Sequence, residues 1–124
     1  MHQFRVLLVE DDFASSMVCC EFLRASGMVV TEAYCAAAAI ESFERPGGLS
    51  ALVTDINLGD GADGFEVARR ARALYPDIPV VYVSGSASDR FAAEGVPGST
   101  FVAKPMHPRQ ILEALGRAID VEAA

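Results

Sequence analysis

The sequence predicts a single α/β domain in which five parallel strands form a doubly wound sheet with helices on both faces. Apolar runs rich in β-branched residues alternate five times with segments of helical periodicity. Turn-forming glycine, proline and serine residues separate most of these segments. The chain has 124 residues, of which 52% are hydrophobic, and this is the size of one domain. For such an alternation the expected strand order is 2-1-3-4-5, with a switch point between the first and third strands.

The first two strand and helix pairs each place an apolar run before a segment of helical spacing. Phe4 to Val9 is almost continuously apolar, which predicts a strand covered on both faces, and a helix from Phe13 to Ala25 follows it. The second pair is a strand from Met28 to Ala33 and a helix from Cys35 to Glu44, which a Pro-Gly-Gly sequence ends. The side chains expected on the buried faces of these helices are Met17, Cys20, Leu23, Ala36, Ile40 and Phe43.

Three more pairs complete the chain. They are strand Leu49 to Asp55 with helix Gly64 to Leu74, strand Ile78 to Val83 with a short helix from Ala87 to Glu94, and strand Ser99 to Ala103 with a helix that begins at Pro108. In the third helix, Glu66 and Arg70 are expected to pair on the outer face. The inward-facing side chains expected in the third and last helices are Val67, Ala71, Leu74, Ile111, Leu112, Leu115 and Ile119.

Charge and composition argue against several classes of function. The net charge of −7 and the isoelectric point near 4.7 disfavour nucleic acid as a partner, because an acidic surface repels the phosphate backbone. No apolar stretch has the length of a membrane span or the pattern of a signal sequence, so no membrane partner is expected. Cys19, Cys20 and Cys35 lack metal-ligand spacing, and we expect them to be buried, reduced side chains of a cytoplasmic protein.

Polar side chains follow several predicted strands at the same edge of the sheet. Glu10 and Asp11 follow the first strand and Asp55 ends the third, so the switch point is expected to bring these carboxylates together. Ser84 and Lys104 follow the fourth and fifth strands. Carboxylates at close range repel one another, and a bound cation is the simplest remedy. Oxygen ligands suit Mg²⁺, so Asp11 and Asp55 are predicted direct ligands, with Glu10 holding a metal-bound water.

The same residues suit phosphoryl transfer. The backbone carbonyl of Asn57 is a further predicted ligand of Mg²⁺, for which Mn²⁺ is an alternative, and a site of this kind binds phosphate substrates. The Asp55 carboxylate is a competent nucleophile toward phosphorus, and Lys104, the only lysine in the chain, and Ser84 would contact phosphoryl oxygens. Each residue alone has a plainer interpretation, because Asp or Ser at a strand end is often a cap or turn residue and a lone Lys often lies on the surface.

Together these motifs resemble the receiver domain of response regulators in two-component signalling, a family with a flavodoxin-like fold. The resemblance covers nearly the whole chain. The matching motifs, in order, are Leu7-Leu8-Val9-Glu10-Asp11-Asp12 for the acidic pair, Val53-Thr54-Asp55 for the phosphoacceptor strand, Val83-Ser84-Gly85, Phe101 as the switch aromatic, and Lys104-Pro105. Each motif is weak alone, but all of them in this order and at these spacings are highly specific.

The resemblance implies a signalling domain rather than an enzyme. Such domains accept a phosphoryl group on the Asp, here Asp55, from a histidine kinase or a histidine phosphotransfer protein, and then hydrolyse it. By resemblance, Asn57 and Ser86 flank the path of the attacking water. Phosphorylation is expected to draw Ser84 inward, with Phe101 following, so that a downstream protein binds the face formed by the fifth strand and the fifth helix.

Several departures and alternatives accompany this interpretation. Gly59 stands where the family often has Pro, and the fourth helix looks short.

Two other classes of protein fit the sequence less well. A flavin-binding protein of the same fold would need a phosphate-binding loop where Glu10 and Asp11 stand. A haloacid-dehalogenase-like phosphatase would have an Asp-x-Asp motif at the nucleophile, whereas residue 57 is Asn. A pseudo-receiver that is not phosphorylated, and the receiver segment of a hybrid histidine kinase, remain open. We expect residues 1–124 to form one receiver domain with no effector domain.

Overall fold

The structure is a computed structural model that describes the backbone of residues 3–59, 61–86 and 88–123, and the side chains among them except those of Ser88 and residues 118–123. Within these residues the strands are β1 (Arg5–Val9), β2 (Val29–Ala33), β3 (Ala51–Asp55), β4 (Val80–Ser84) and β5 (Thr100–Ala103). The helices are α1 (Phe13–Ala25), α2 (Ala36–Ser42), α3 (Gly64–Leu74), α4 (Ser88–Glu94) and α5 (Pro108–Ala123). The strands are parallel and lie in the order β2-β1-β3-β4-β5, which confirms the predicted α/β fold.

Alternate side chains of each strand enter two hydrophobic cores, one on each face of the sheet. Leu7, Leu52 and Tyr82 face the core that α2, α3 and α4 cover. Leu8 and Val53 face the core that α1 and α5 cover. None of these five side chains is more than 3% exposed. Burial on both faces explains why β1, β3 and β4 are largely apolar runs, since a strand with one solvated face alternates apolar with polar residues.

Side-chain caps determine where three of the helices begin. Asp12 Oδ2 accepts the Ser15 N–H at 2.9 Å and begins α1, and Asp63 Oδ1 accepts the Glu66 N–H at 3.1 Å and begins α3. Cys35 begins α2, with its Sγ accepting the Ala38 N–H at 3.5 Å. The expectation that Cys35 is buried was therefore wrong: it is exposed, because a capping side chain lies at the helix end rather than on its inner face.

Two further burial expectations were wrong. Met17 is 45% exposed, because α1 turns a stripe one position away toward the sheet, formed by Ser16, Cys19, Cys20 and Leu23. Leu74 is 51% exposed, because it is the last residue of α3 and lies at the end of the helix. In α5, Ile111 and Leu115 are fully buried as predicted and Leu112 packs against them from a partly buried position, while the Ile119 side chain lies outside the described residues.

Most other differences from expectation are small shifts of element ends. β3 begins at Ala51 rather than Leu49, and β4 covers Val80–Ser84 rather than Ile78 to Val83. The fourth helix is present and has seven residues, from Ser88 to Glu94, while Ala87 lies outside the described residues. The predicted outer pair is present, with Arg70 Nε 3.4 Å from Glu66 Oε1. None of these shifts moves a predicted site residue away from the sheet edge.

The strand register places the site residues side by side. Val9 of β1 is paired with Thr54 of β3, so Glu10, the next residue along, lies beside Asp55. Asp55 is paired in turn with Val83, and the β4 residue Ser84 is paired with Ala103 of β5. The Lys104 N–H donates to the Ser84 carbonyl oxygen at 2.9 Å, which continues this pairing one residue past β5. The carboxyl ends of four neighbouring strands therefore meet at one edge, as the switch-point rule requires.

Candidate functional site

Three carboxylates lie together at this edge of the sheet. Asp55, the last residue of β3, is 8% exposed, and Glu10, which follows β1, is 6% exposed. Asp11 is exposed to solvent and each of the three offers an oxygen within 4.8 Å of the other two. The structure thus brings together the acids that the sequence predicts at the switch point.

Lys104 connects two of these acids. Its Nζ donates to Glu10 Oε1 at 2.8 Å and to Asp55 Oδ2 at 3.1 Å. The lysine side chain is 30% exposed, so the ammonium lies at the mouth of the site rather than deep within it. A flexible lysine can exchange one oxygen partner for another, because its three donors rotate about a single nitrogen.

The charges of the site perturb the pKa values of its members. Burial raises the pKa of Glu10 above its ordinary value of 4.5, contact with the Asp55 carboxylate raises it further, and Lys104 only partly offsets both. For Lys104, burial favours a lower pKa, but the hydrogen bond to Glu10 and the charge of Asp55 outweigh it and raise the pKa. The raised pKa of Lys104 keeps the lysine charged, while burial and the neighbouring Asp55 carboxylate disfavour the ionised form of Glu10.

The donor set fits a divalent cation. Glu10 Oε2 is a buried oxygen with no hydrogen-bond partner among the described residues, which is costly for a carboxylate unless something else contacts it. It belongs to the same group of three carboxylates, whose hard oxygens are the ligands that Mg²⁺ prefers. Receiver domains generally bind Mg²⁺ at such an acidic pocket, and the residues present here match that chemistry.

Ser84 lies beside the acids at the end of β4. The residue is 1% exposed, and its Oγ accepts the backbone N–H of Ser86 at 3.2 Å. Gly85 follows Ser84, and a Cβ at this position would fit, because its nearest neighbour would be the Cβ of Lys104 at 3.9 Å. Asn57 and Ser86 are both exposed, and each lies two residues past the end of its strand, β3 and β4 respectively.

Phe101 lies in β5, three residues before Lys104, and is paired with Tyr82 of β4. It is partly buried on β5, and its ring centroid is 5.5 Å from that of Phe91 in α4. Phe91 in turn contacts Tyr82, the buried tyrosine of β4, with 5.8 Å between ring centroids. The aromatic residue that the sequence singled out is therefore packed against the fourth helix.

The role of Gly64 was not predicted from the sequence. A Cβ at this position would collide with the carbonyl oxygen of Asp55 and approach Ile56 Cα within 2.9 Å. The Gly64 N–H also donates to the Ile56 carbonyl oxygen at 2.8 Å. The start of α3 thus packs directly on the backbone that carries Asp55. Only glycine allows this approach, and a glycine after a capping Asp was the one local signal available.

Comparison with known proteins gives a consistent picture. The family model described as the response regulator receiver domain matches residues 6–116. The response regulator receiver protein CpdR of Brucella abortus (strain 2308) is 30% identical over 118 residues, which are 93% of this chain and 96% of CpdR. A crystal structure of a response regulator receiver protein from Sinorhizobium medicae WSM419 superposes with a TM-score of 0.90 at 32% identity and covers 95% of both chains.

A second relative is a much longer protein. The sensor kinase CckA of Brucella abortus (strain 2308) is 36% identical over 110 residues, which are 86% of this chain but only 11% of CckA. The chain therefore corresponds to a small part of that kinase and to nearly all of CpdR. In the part of the chain that the structure describes, no helix is both long enough and apolar enough to cross a membrane.

Proposed function

Because the chain belongs to the family of response regulator receiver domains, we propose that it is the phosphoacceptor of a two-component phosphorelay and that Asp55 is the residue phosphorylated. The observation that carries this proposal is the 3.1 Å contact between Asp55 Oδ2 and Lys104 Nζ, beside the carboxylates of Glu10 and Asp11. A carboxylate nucleophile, a cation and an acid pair are the parts that phosphoryl transfer to an aspartate requires.

The transfer itself is a displacement at phosphorus. A carboxylate oxygen of Asp55 forms a bond to the phosphorus of a donor phosphohistidine while the phosphorus–nitrogen bond breaks. The bonding electron pair goes to the imidazole nitrogen, which takes up a proton, and Asp55 becomes an acyl phosphate. Burial of Asp55 to 8% exposure limits the water that competes with the Asp55 carboxylate for the phosphorus of the donor.

Lys104 stabilises the added charge. In the unmodified protein its ammonium lies between Glu10 Oε1 and Asp55 Oδ2. Once Asp55 carries a phosphoryl group, Nζ can keep its contact with Glu10 and donate to a phosphoryl oxygen in place of the Asp55 oxygen. Glu10, Asp11, Asp55 and the Asn57 carbonyl would hold Mg²⁺, or Mn²⁺, which when bound supplies positive charge to the phosphoryl oxygens.

Ser84 and Phe101 couple this charge to the protein surface. The Ser84 hydroxyl, buried at the end of β4, donates to a phosphoryl oxygen after an inward movement. The movement vacates space that the ring of Phe101 fills, and this ring then leaves its position against Phe91. The surface of β5 and α5 changes as a result, and a downstream protein binds there.

A groove beside the site suits the phosphodonor. It has a volume of about 590 Å³ and lies between α1 and the segment that joins β5 to α5. Its lining is mostly apolar and includes Ala14, Val18, Pro105 and Met106 together with Lys104. A helix of a histidine kinase or histidine phosphotransfer protein seated in this groove would bring its phosphohistidine near the ammonium of Lys104.

The lifetime of the acyl phosphate depends on access for water. By resemblance to the family, Asn57 and Ser86 flank the path of the attacking water, and because both are small, polar and exposed, neither side chain excludes it. We therefore propose turnover of the phosphoryl group rather than a long-lived modification.

The cysteines and the proposed donor both suit the cytoplasm. Free thiols at Cys19, Cys20 and Cys35 suit a reducing compartment, and a histidine kinase donates its phosphoryl group there, so we propose that the protein is cytoplasmic.

The unit that performs these steps is proposed to be one receiver domain, residues 1–124. Similarity to part of the sensor kinase CckA favours a second arrangement, in which the same domain is a receiver segment of a hybrid kinase. A pseudo-receiver that binds partners without phosphorylation is the remaining alternative. The first two predict phosphorylation of Asp55, and the third does not.

Phosphorylation with a small-molecule donor tests the proposal. Wild type incubated with acetyl phosphate and Mg²⁺ should gain the mass of one phosphoryl group, and Asp55→Asn should gain none, because an amide is not a nucleophile toward phosphorus. Asp63→Asn, which removes a carboxylate from the same loop but keeps the Asp55 nucleophile, serves as the control for the site of modification and should still gain the mass of one phosphoryl group. Modification that persists in Asp55→Asn, or none in wild type, would reject Asp55 as the phosphoacceptor.

A further inference from the structure

Arg90 of α4 contacts three groups at once. Its Nη2 donates to Asp63 Oδ2 at 2.8 Å and its Nε donates to Glu94 Oε2 at 2.8 Å. Its Cζ lies 5.0 Å from the centroid of the Phe65 ring. Asp63 precedes the first residue of α3 and Phe65 is its second residue. Asp63 and Arg90 are 27 positions apart in the chain. The guanidinium therefore joins α4 to the segment that follows the site.

Asp63 uses its two carboxylate oxygens for different elements. Oδ1 accepts the Glu66 N–H and caps α3, while Oδ2 accepts from Arg90 of α4. Burial favours a higher pKa for Asp63, but the hydrogen bonds from Arg90 and from the Glu66 backbone outweigh it and lower the pKa. The carboxylate thus remains charged and in contact with both elements at neutral pH.

The next residue, Gly64, connects this pair to the phosphoacceptor. Gly64 lies so close to the Asp55 carbonyl that no Cβ fits between them, and its N–H is bonded to Ile56. A displacement of Asp63 therefore cannot leave the backbone at Asp55 unaffected, because close-packed groups transmit such shifts. The Arg90 contact with Asp63 is one residue removed from the backbone that carries the nucleophile.

The other attachment of α4 is apolar. Phe91 lies between the ring of Tyr82, at 5.8 Å, and the ring of Phe101, at 5.5 Å. Under the proposed switch, movement of Phe101 weakens this attachment. The Arg90 ion pair with Asp63 does not involve Phe101, so it continues to hold α4 in the position of the unmodified protein.

We propose that Arg90 is a positioning residue that, through Asp63, ties α4 to the loop after Asp55 and favours the unphosphorylated arrangement of the site. This inference rests on the proposed function. Because coupling between two sites is reciprocal, loss of the Arg90 contact should make the activated arrangement easier to reach from the phosphoryl site. Partly exposed ion pairs and cation–π contacts are individually weak, so the expected effect is about threefold to tenfold.

The test compares Arg90→Gln with Arg70→Gln, which removes an arginine whose contact is with Glu66 on the outer face of α3. Without any phosphoryl analogue, hydrogen exchange at the Gly64 and Glu66 amides should be about threefold to tenfold faster in Arg90→Gln and unchanged in Arg70→Gln. With Mg²⁺ present, Arg90→Gln should bind beryllofluoride about threefold to tenfold more tightly than wild type.

Two further variants separate positioning from general stability. Asp63→Asn keeps a residue that caps helices well but removes the ion pair, so it should reproduce both effects, and adding Arg90→Gln to it should change neither measurement further. Arg90→Lys keeps the charge without the planar fork and should restore part of both properties.

The inference would be overturned if the exchange rates of Arg90→Gln matched those of Arg70→Gln. It would also be overturned if Arg90→Gln bound beryllofluoride no more tightly than wild type does. Failure of wild type to bind beryllofluoride would overturn the proposed function instead. In that case the exchange comparison still decides whether Arg90 holds the loop, since it needs no phosphoryl analogue.

Discussion

Lys104 and Asp55 lie 49 positions apart in the chain, and the Nζ of the lysine donates to Oδ2 of the aspartate at 3.1 Å. The same nitrogen is 2.8 Å from Glu10 Oε1, so one ammonium is shared between the proposed nucleophile and one member of the acid pair. Because the three acids outnumber the single ammonium, the site has negative charge in excess.

Asp11→Asn should weaken Mg²⁺ binding. Asp11 is the exposed member of the three carboxylates, so its main loss on substitution is a metal ligand rather than a packed side chain. Wild type should bind Mg²⁺ in roughly the millimolar range, as sites with few protein ligands do, and the variant about tenfold more weakly. Titration followed by amide chemical shifts measures both. Asp12→Asn is the matched control, because Asp12 caps α1 through Ser15; equal weakening by both variants would contradict a specific ligand role for Asp11.

Glu10→Gln should stabilise the metal-free protein at neutral pH, by about 0.5–1.5 kcal/mol. The pKa of Glu10 is raised on folding, first by burial and then by Asp55, so the folded state binds its proton more tightly than the unfolded state does. Wild type therefore loses this stability as pH rises from about 4.5 through the raised pKa, whereas Gln does not titrate. Urea unfolding at several pH values in EDTA measures the difference, which should vanish below pH 4.5. A variant less stable than wild type at pH 7 would show that the Lys104 contact outweighs burial.

Gly64→Ala should destabilise the fold by more than about 2 kcal/mol, because the new Cβ would collide with the backbone carbonyl of Asp55 and backbone cannot rotate away. Gly116→Ala is the matched control, since a Cβ there meets nothing within 4 Å in the middle of α5. That substitution should stabilise by about 0.5–1 kcal/mol, because alanine favours a helix. Urea unfolding compares the two, and equal effects would argue that Gly64 does not pack tightly on Asp55.

Ser84→Ala and Phe101→Ala should separate phosphorylation from output. Neither residue supplies the nucleophile, so both variants should still bind beryllofluoride at Asp55. Ser84→Ala should bind it about threefold to tenfold more weakly than wild type does, because one hydrogen bond is lost. Amide chemical-shift changes along residues 99–117, which wild type should show on binding, should shrink in both. If wild type changes only next to Asp55, and β5 and α5 stay unaffected, this face is not the output surface.

The strand order, the helices and the gathering of Glu10, Asp11 and Asp55 all follow from local patterns in the sequence. A doubly buried strand has to be apolar along its whole length, so its end is visible where the first acid or turn residue appears. Because the strands are parallel, their carboxyl ends all lie at one edge of the sheet, and this does not depend on which apolar side chains the strands contain. Residue type at a strand end was therefore enough to predict which polar groups meet.

Only the tertiary structure decided the finer relationships. The buried stripe of α1 includes Cys20 and Leu23 as predicted but begins at Ser16 rather than Met17, because an average periodicity does not specify the rotation of a short helix against its sheet. The contact of Arg90 with Asp63 joins residues 27 positions apart on two helices, and no local pattern distinguishes Arg90 from the other arginines. The close approach of Gly64 to Asp55 likewise depends on where α3 docks. Strand ends are determined by composition along the chain, whereas these contacts are determined by how separate elements pack in space.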